Sequence, residues 1–468
     1  MSEISRYQLL EKIVVESMSS DGRAVARYGD MVIFIPFAAP GDIIDLKVTS
    51  RRKNYLEGVI AGFHHYSEDR TEPVCPHFGT CGGCTWQYMK YERQLACKQE
   101  IIGDVIKRIG KIDDVPVSPI LESPEPYYYR NKLEYTFSSN RWLSEDEINS
   151  GLPVDRTHAL GFHKPGFFDR VIDIKECHLQ PEPTNAIRNA VRDYALKKNL
   201  SFYNIKNHTG YLRNLIVRNT TDGQAMVIVV FSSDERKQAA GLLDFIKSGF
   251  PAVTSLYYVI NGKKNDSISD LAPVLWYGNE HLVSEIDGFR FRVGPNSFYQ
   301  TNSRQAARLY ETIRTLASLS GNEVVYDLYT GTGTIACFIA AKAKRVIGLE
   351  YVGAAVEDAT ANAKSNGIEN VSFHTGDIKQ LLGEGMFRKE GSPDVIITDP
   401  PRSGMHADVT GEILAAGPSR IVYVSCNAST QARDINILHE KYEVKHIRPV
   451  DMFPQTPHIE NIVLLTRR

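Results

Sequence analysis

The pattern of apolar and polar positions changes character several times along the chain. Residues 8–62 alternate, as in Val32-Ile33-Phe34-Ile35-Pro36 and Ile43-Ile44-Asp45-Leu46-Lys47-Val48, with Asp21-Gly22 and Pro40-Gly41 as turn signals. This spacing predicts a small five-stranded, OB-like β-barrel over residues 1–62. A polar stretch with Pro73 and Pro76 follows as a connection, and residues 86–110 then read as one amphipathic helix with Leu95, Ile102, Val105 and Ile109 on its apolar face. That helix is expected to pack against the last domain. Short β-rich runs at 133–137, 215–218 and 225–230 predict a central α+β domain within 63–285, with 143–158 as an exposed loop. Beyond Phe289 strand-like runs at 324–329, 345–350, 371–374, 394–399 and 420–425 alternate with helical stretches. That order implies a C-terminal α/β domain, 286–468, with an open, mostly parallel, Rossmann-like sheet whose ligands sit at the carboxyl ends of its strands.

Composition narrows the class. A chain of 468 residues, 42% hydrophobic, is long enough for two to four domains that each bury a core. The first ten residues carry no apolar signal core, and no run approaches the roughly 20 apolar residues that cross a bilayer. A cytoplasmic monomer with no membrane partner is the expectation. The formal net charge of −2 excludes a globally basic nucleic-acid binder, so any RNA contact has to come from local patches. Arg51-Arg52-Lys53-Asn54-Tyr55 is one such patch, although by itself it is a solvated hairpin tip. The seven cysteines, an odd number, argue against a disulfide framework and for reduced thiols.

Candidate chemistry concentrates in the last domain. Asp327-Leu328-Tyr329-Thr330-Gly331-Thr332-Gly333-Thr334 follows a strand-like run. Gly331-x-Gly333-x-x-Ala336 formally meets the dinucleotide fingerprint, and Glu350 ends the next strand where a ribose-binding acid belongs. NAD is therefore permitted. The companions favour S-adenosylmethionine: Asp327 precedes the loop, Asp377 ends the third strand and Asp399-Pro400-Pro401 follows the fourth. A sulfonium amino acid has no pyrophosphate and carries two positive centres, which a ring of carboxylates suits. Further on, Val424-Ser425-Cys426-Asn427 and Pro457-His458-Ile459-Glu460-Asn461 supply a thiol and a carboxylate. A lone cysteine after an apolar strand is usually a small buried hydrophobe, so its meaning depends on its partners.

Asp399-Pro400-Pro401-Arg402, Ser425-Cys426-Asn427 and Pro457-His458-Ile459-Glu460 together resemble the RNA uracil-5-methyltransferases, which make 5-methyluridine in tRNA or ribosomal RNA. The resemblance extends to Tyr129-Arg130-Asn131-Lys132, Leu212-Arg213-Asn214-Leu215 and Ser297-Phe298-Tyr299-Gln300, and to an N-terminal barrel similar to the family's TRAM domain. Thr330 and Thr334 depart from it, standing where relatives often carry Cys and Asn. The chemistry explains the residue types. Carbon 5 of uracil is too weak a nucleophile until a thiolate adds at carbon 6, and after methyl transfer a base must remove the carbon 5 proton. The resemblance implies that Cys426 is the thiolate and Glu460 the base, and it links Gln300, Tyr329, Glu350 and Asp399 to the cofactor, with Asp399 also able to read the uracil edge. Two other readings stay open: a non-catalytic RNA-binding or folding protein, and cytosine-5 methylation, which is weakened by the lack of a second cysteine near Asp399.

Cys75-x5-Cys81-x2-Cys84 and the distant Cys177 can bind an iron–sulfur cluster or a structural zinc. The resemblance implies a [4Fe-4S] cluster with a structural role. Lys206, His208, Arg213, Lys263 and Lys264 are candidate phosphate contacts. The barrel and the cysteine cluster point to 23S ribosomal RNA rather than tRNA as the substrate.

Overall fold

The computed structural model describes residues 5–468, so the first four residues of the expected barrel lie outside the described residues. The chain forms two compact units, one of residues up to Gly79 with Gly83–Pro126 and Ile397–Arg468, the other of Thr80–Gly82 and Tyr127–Ile396. These units group the sequence differently from three consecutive segments.

In the first unit, strands Leu9–Met18, Ala24–Tyr28, Met31–Ile35, Ile43–Arg51 and Tyr55–His65 close into the expected five-stranded barrel, the fifth strand lying between the third and fourth. Alternation sets its inside: Ile44, Leu46 and Val48 are fully buried while Asp45 and Lys47 face out. Arg52, Lys53 and Asn54 form the exposed hairpin tip between the last two strands. The following helix is Tyr91–Arg108, shorter at its start than the sequence pattern suggested, and its buried face is Gln94, Cys97, Lys98, Ile101, Ile102 and Ile106. The expected face is therefore corrected, since Ile109 is 41% exposed and lies past the helix end. Two polar residues take core positions because partners distant in sequence satisfy them, Asp451 for Lys98 and Gln455 for Gln94. The remainder of this unit carries strands Arg420–Ser425, Glu460–Arg467 and Tyr442–Val450, antiparallel in that spatial order, with helices Ala407–Ala416 and Ala428–Leu438.

The second unit is built on a seven-stranded sheet in the order Val274–Gly278, Val253–Ile260, Ala225–Phe231, Leu212–Asn219, Lys132–Ser138, Ala159–His163, Val171–Asp173. Its interior Ala225–Phe231 strand is buried throughout, as its continuous apolar run requires. The stretch expected as a loop at 143–158 contains a short helix, Glu145–Asn149, closed by a capping box between Ser144 and Glu147. The same unit holds three parallel strands in the order Val371–Thr375, Arg345–Glu350, Val324–Leu328, connected by helices Thr334–Ala340 and Gly353–Ser365. The chain passes from one unit to the other within the strand Val395–Thr398.

Candidate active site

In the second unit, the carboxyl ends of Val324–Leu328 and Arg345–Glu350 bring the glycine-rich loop and Glu350 together. Tyr329, Gly331 and Gly333 all have positive φ, 65°, 55° and 76°, so the loop folds back over its own strand end. The Gly331 N–H donates to Glu350 Oε2 at 3.0 Å and the Val352 N–H to Oε1 at 2.9 Å. Each carboxylate oxygen keeps acceptor capacity for a ligand hydroxyl. Beneath the loop the Thr330 hydroxyl donates to the fully buried Asp327, and the Asn362 side chain donates to the Thr332 carbonyl at 3.0 Å. A Cβ on Gly333 would lie 2.9 Å from both Ala359 Cβ and a Phe373 ring carbon, whereas one on Gly331 would meet nothing within 4 Å. The loop is packed from below and open at Gly331. Asp377 is exposed and caps the helix Ile378–Gly383 by accepting the Gln380 N–H at 3.2 Å.

Gln300 is fixed by a motif far away in sequence. The Asn131 side chain donates to the Gln300 carbonyl and to Ser303 Oγ, both at 2.8 Å, and its backbone N–H donates to the Thr301 carbonyl at 2.7 Å. Arg218, buried so that its ionised form is disfavoured and its pKa falls to about 10, donates to the Ser297 carbonyl at 2.8 Å. Ser297 Oγ in turn donates to Asp358 at 2.6 Å.

In the first unit, Asp399, Arg402, Cys426 and Glu460 form one electrostatic cluster. Cys426 follows the strand Arg420–Ser425 and precedes the helix Ala428–Leu438, whose Asn427 cap also donates to the Arg402 carbonyl at 2.9 Å. Thr430 Oγ1 donates to the same carbonyl at 3.2 Å, so the Arg402 backbone is tied to the Cys426 turn. Glu460 opens the strand Glu460–Arg467, pairs in register with Val450 and is 6% exposed. Burial pushes the Glu460 carboxyl well above its ordinary value; repulsion from Asp399 adds to this and Arg402 opposes it. Desolvation raises Asp399 to about 7. The Cys426 thiol is pushed up by burial and by Glu460 and Asp399, against the charge and a hydrogen bond of Arg402. Cys426 and Glu460 thus share one guanidinium, while Asp399 raises the proton affinity of both.

Residues 277–468 match the family described as tRNA (uracil-5-)-methyltransferase, and residues 11–61 match the TRAM domain. An uncharacterized RNA methyltransferase of Bacteroides thetaiotaomicron is 50% identical over 96% of this chain and 100% of its own length. One from Porphyromonas gingivalis is 47% identical over 97% of this chain and 99% of its own. The chain belongs to the RNA uracil-5-methyltransferase family. A solved structure, the Pyrococcus abyssi tRNA (uracil-54, C5)-methyltransferase in complex with S-adenosyl-L-homocysteine, superposes with a TM-score of 0.74 at 27% identity, covering 97% of this chain and 99% of that one.

Against the background of that family, several expectations change. Arg213 is not a phosphate contact: it is 1% exposed, donates to the carbonyls of Asn261, Lys263 and Asn265, pairs with Asp266 and stacks on Tyr203. It holds the loop after the strand Val253–Ile260. Lys206 pairs with Asp169 at 2.7 Å and Lys263 with Asp270, whereas Lys264 is exposed. Near the expected cluster, Cys75 N–H donates to Gln87 Oε1 and Cys177 N–H to Asn185 Oδ1. Among the described residues, however, no three His, Cys, Asp or Glu side chains are grouped to hold a metal ion, so the [4Fe-4S] expectation at Cys75, Cys81, Cys84 and Cys177 has no structural support. Arg402 supplies the positive charge that opposes the raised proton affinities of Cys426 and Glu460. Among the described residues, no helix is long and apolar enough to cross a membrane.

Proposed function

We propose that this methyltransferase transfers a methyl group from S-adenosylmethionine to carbon 5 of one uridine in RNA, through a covalent bond between Cys426 and carbon 6. The observation that carries the reading is the cluster of Cys426, Glu460, Asp399 and Arg402. The Cys426 thiolate adds to carbon 6, and the enolate so formed would attack the donor methyl through carbon 5, the methyl–sulfur bond breaking to release S-adenosylhomocysteine. Glu460, its proton affinity raised by burial, then takes the carbon 5 proton and the thiolate leaves. Asp399, near 7, is poised to share a hydrogen with the uracil edge. Arg402 favours the thiolate and the ionised Glu460.

For the cofactor, the residues fit. Glu350 offers acceptors for ribose hydroxyls, Gly331 leaves room for close approach, and Tyr329, Gly333, Gln300 and Asp377 complete the proposed contacts, while the acids suit a sulfonium.

The sequence reading favours 23S ribosomal RNA. A second reading, tRNA, is favoured by the Pyrococcus protein, since 99% of that tRNA enzyme is covered and a barrel is therefore compatible with a tRNA substrate. Deleting the gene and mapping 5-methyluridine by mass spectrometry in separated tRNA and ribosomal RNA tests both. Loss from neither RNA, or full methylation by Cys426→Ala, refutes the function.

A further inference from the structure

We infer that the turn at Gly22 of the barrel and the helix residues Gln94 and Lys98 clamp residues 451–459 and thereby position Glu460. The inference rests on the role of Glu460 given above. These residues make the nine-residue connection between Tyr442–Val450 and Glu460–Arg467, and Glu460 is the first residue after it. A carboxylate there can be no better placed than the connection that delivers it.

Both ends and the middle of the connection are held. Asp451 and Lys98, each 0% exposed, form an ion pair at 2.5 Å, and Lys98 Nζ also donates to the Phe453 carbonyl at 3.1 Å. One helical turn earlier, Gln94 exchanges two hydrogen bonds with Gln455: its Nε2 donates to Gln455 Oε1 at 2.9 Å and its Oε1 accepts the Gln455 N–H at 3.0 Å. Gln455 has φ of 67°, a conformation that needs support in a residue with a side chain. Its carbonyl accepts the N–H groups of Thr85 and Trp86, both at 3.0 Å. Trp86, fully buried, donates through its indole to the Gly22 carbonyl at 3.0 Å. Gly22 meets the connection directly: a Cβ there would lie 2.8 Å from Pro457 Cγ. The barrel turn is thus a wall against which the Glu460 connection rests, in addition to any part the barrel plays in holding RNA.

The reaction allows positioning to be separated from folding. RNA carrying 5-fluorouridine can be attacked by Cys426 and methylated, but it has no carbon 5 proton for Glu460 to remove, so it reports the steps before proton abstraction. Gln94→Leu and Gly22→Ala are compared with the wild-type protein on RNA from the gene-deleted strain and on the same RNA made with 5-fluorouridine. We expect turnover to fall by roughly ten- to a hundredfold, with the adduct on fluorinated RNA forming within about twofold of the wild-type rate. Methylated covalent adduct should also accumulate on ordinary RNA. Equal loss of turnover and adduct formation in both variants shows a general structural role and overturns the inference, as does unchanged turnover in both. If the wild-type protein itself forms no adduct, the role of Cys426 fails, and that failure is read independently of the variants.

Discussion

Arg402 is the positive charge that opposes the raised proton affinities of Cys426 and Glu460, so removing it should move the ionisation of Cys426 in a known direction. Burial, Glu460 and Asp399 all raise the thiol's pKa, and only Arg402 lowers it. In Arg402→Ala the raising influences stand alone. A hydrogen bond to a charged group is worth about 1.5–3 kcal/mol. The Arg402 side chain is exposed, so solvent screening reduces this to about 1–1.5 kcal/mol. That corresponds to about one pH unit, or roughly tenfold less thiolate at neutral pH. The assay is the rate of iodoacetamide modification against pH, followed at Cys426 by peptide mass spectrometry so that the other six cysteines do not contribute. The midpoint should move up in Arg402→Ala and return most of the way in Arg402→Lys. The acid limb of turnover should move with it, because Glu460 loses the same counter-charge. An unmoved or lowered midpoint would refute the assignment of Arg402 as the counter-ion.

Glu460→Gln should stop turnover and trap methylated adduct. It should also raise thermal stability at pH 8 with little difference near pH 4, since a carboxyl whose folded pKa is raised stabilises the fold below its ordinary value of 4.5 and loses that contribution as pH rises through the folded value. A stability difference that does not change with pH refutes the raised ionisation. Lys98→Met leaves Asp451 buried without its cation and should cost about 3–5 kcal/mol in urea unfolding, part of which Lys98→Met/Asp451→Asn should recover. A loss under about 1 kcal/mol would show that the pair contributes no more than a surface one. Gly333→Ala forces a side chain into a left-handed turn and onto Ala359, a strain of about 1–3 kcal/mol, and should weaken S-adenosylmethionine binding by calorimetry about tenfold or more while RNA binding persists.

What the sequence disclosed follows the range of the forces involved. The barrel and the parallel strands are written locally, in alternation such as Ile44-Asp45-Leu46-Lys47-Val48 and in the buried run 225–230, so their burial repeats the pattern. The groups around Cys426 were legible because each sits in a short motif of specific composition. Lys98 gave no signal, since its partner Asp451 is 353 residues away and a lysine on a helix reads as solvated. Arg213 misled for the same reason: a cation in a strand looks available until the carbonyls of 261–265 are folded around it. The Glu145–Asn149 helix was legible in principle, because Ser144-Glu145-Asp146-Glu147 is a capping-box pattern, but its length gives no apolar period.

The charge of the reaction cluster also constrains how RNA must approach it. Cys426, Glu460 and Asp399 all become anions on losing a proton, and Arg402 can balance only one of them. A phosphate brought close would compete for that guanidinium and raise all three proton affinities further, working against both the nucleophile and the base. The nucleotide must therefore present its neutral base while its backbone stays away. A stacked, paired uridine cannot do this, so the proposed chemistry calls for a base extruded from its helix or already unpaired. It also requires backbone contacts outside the cluster. Arg213 is internal and Lys206 and Lys263 are engaged by Asp169 and Asp270, whereas the tip at Arg52 and Lys53 is exposed and is one patch open to such contacts. Base chemistry and backbone binding are then separable by mutation, which is why turnover and affinity should respond to different residues.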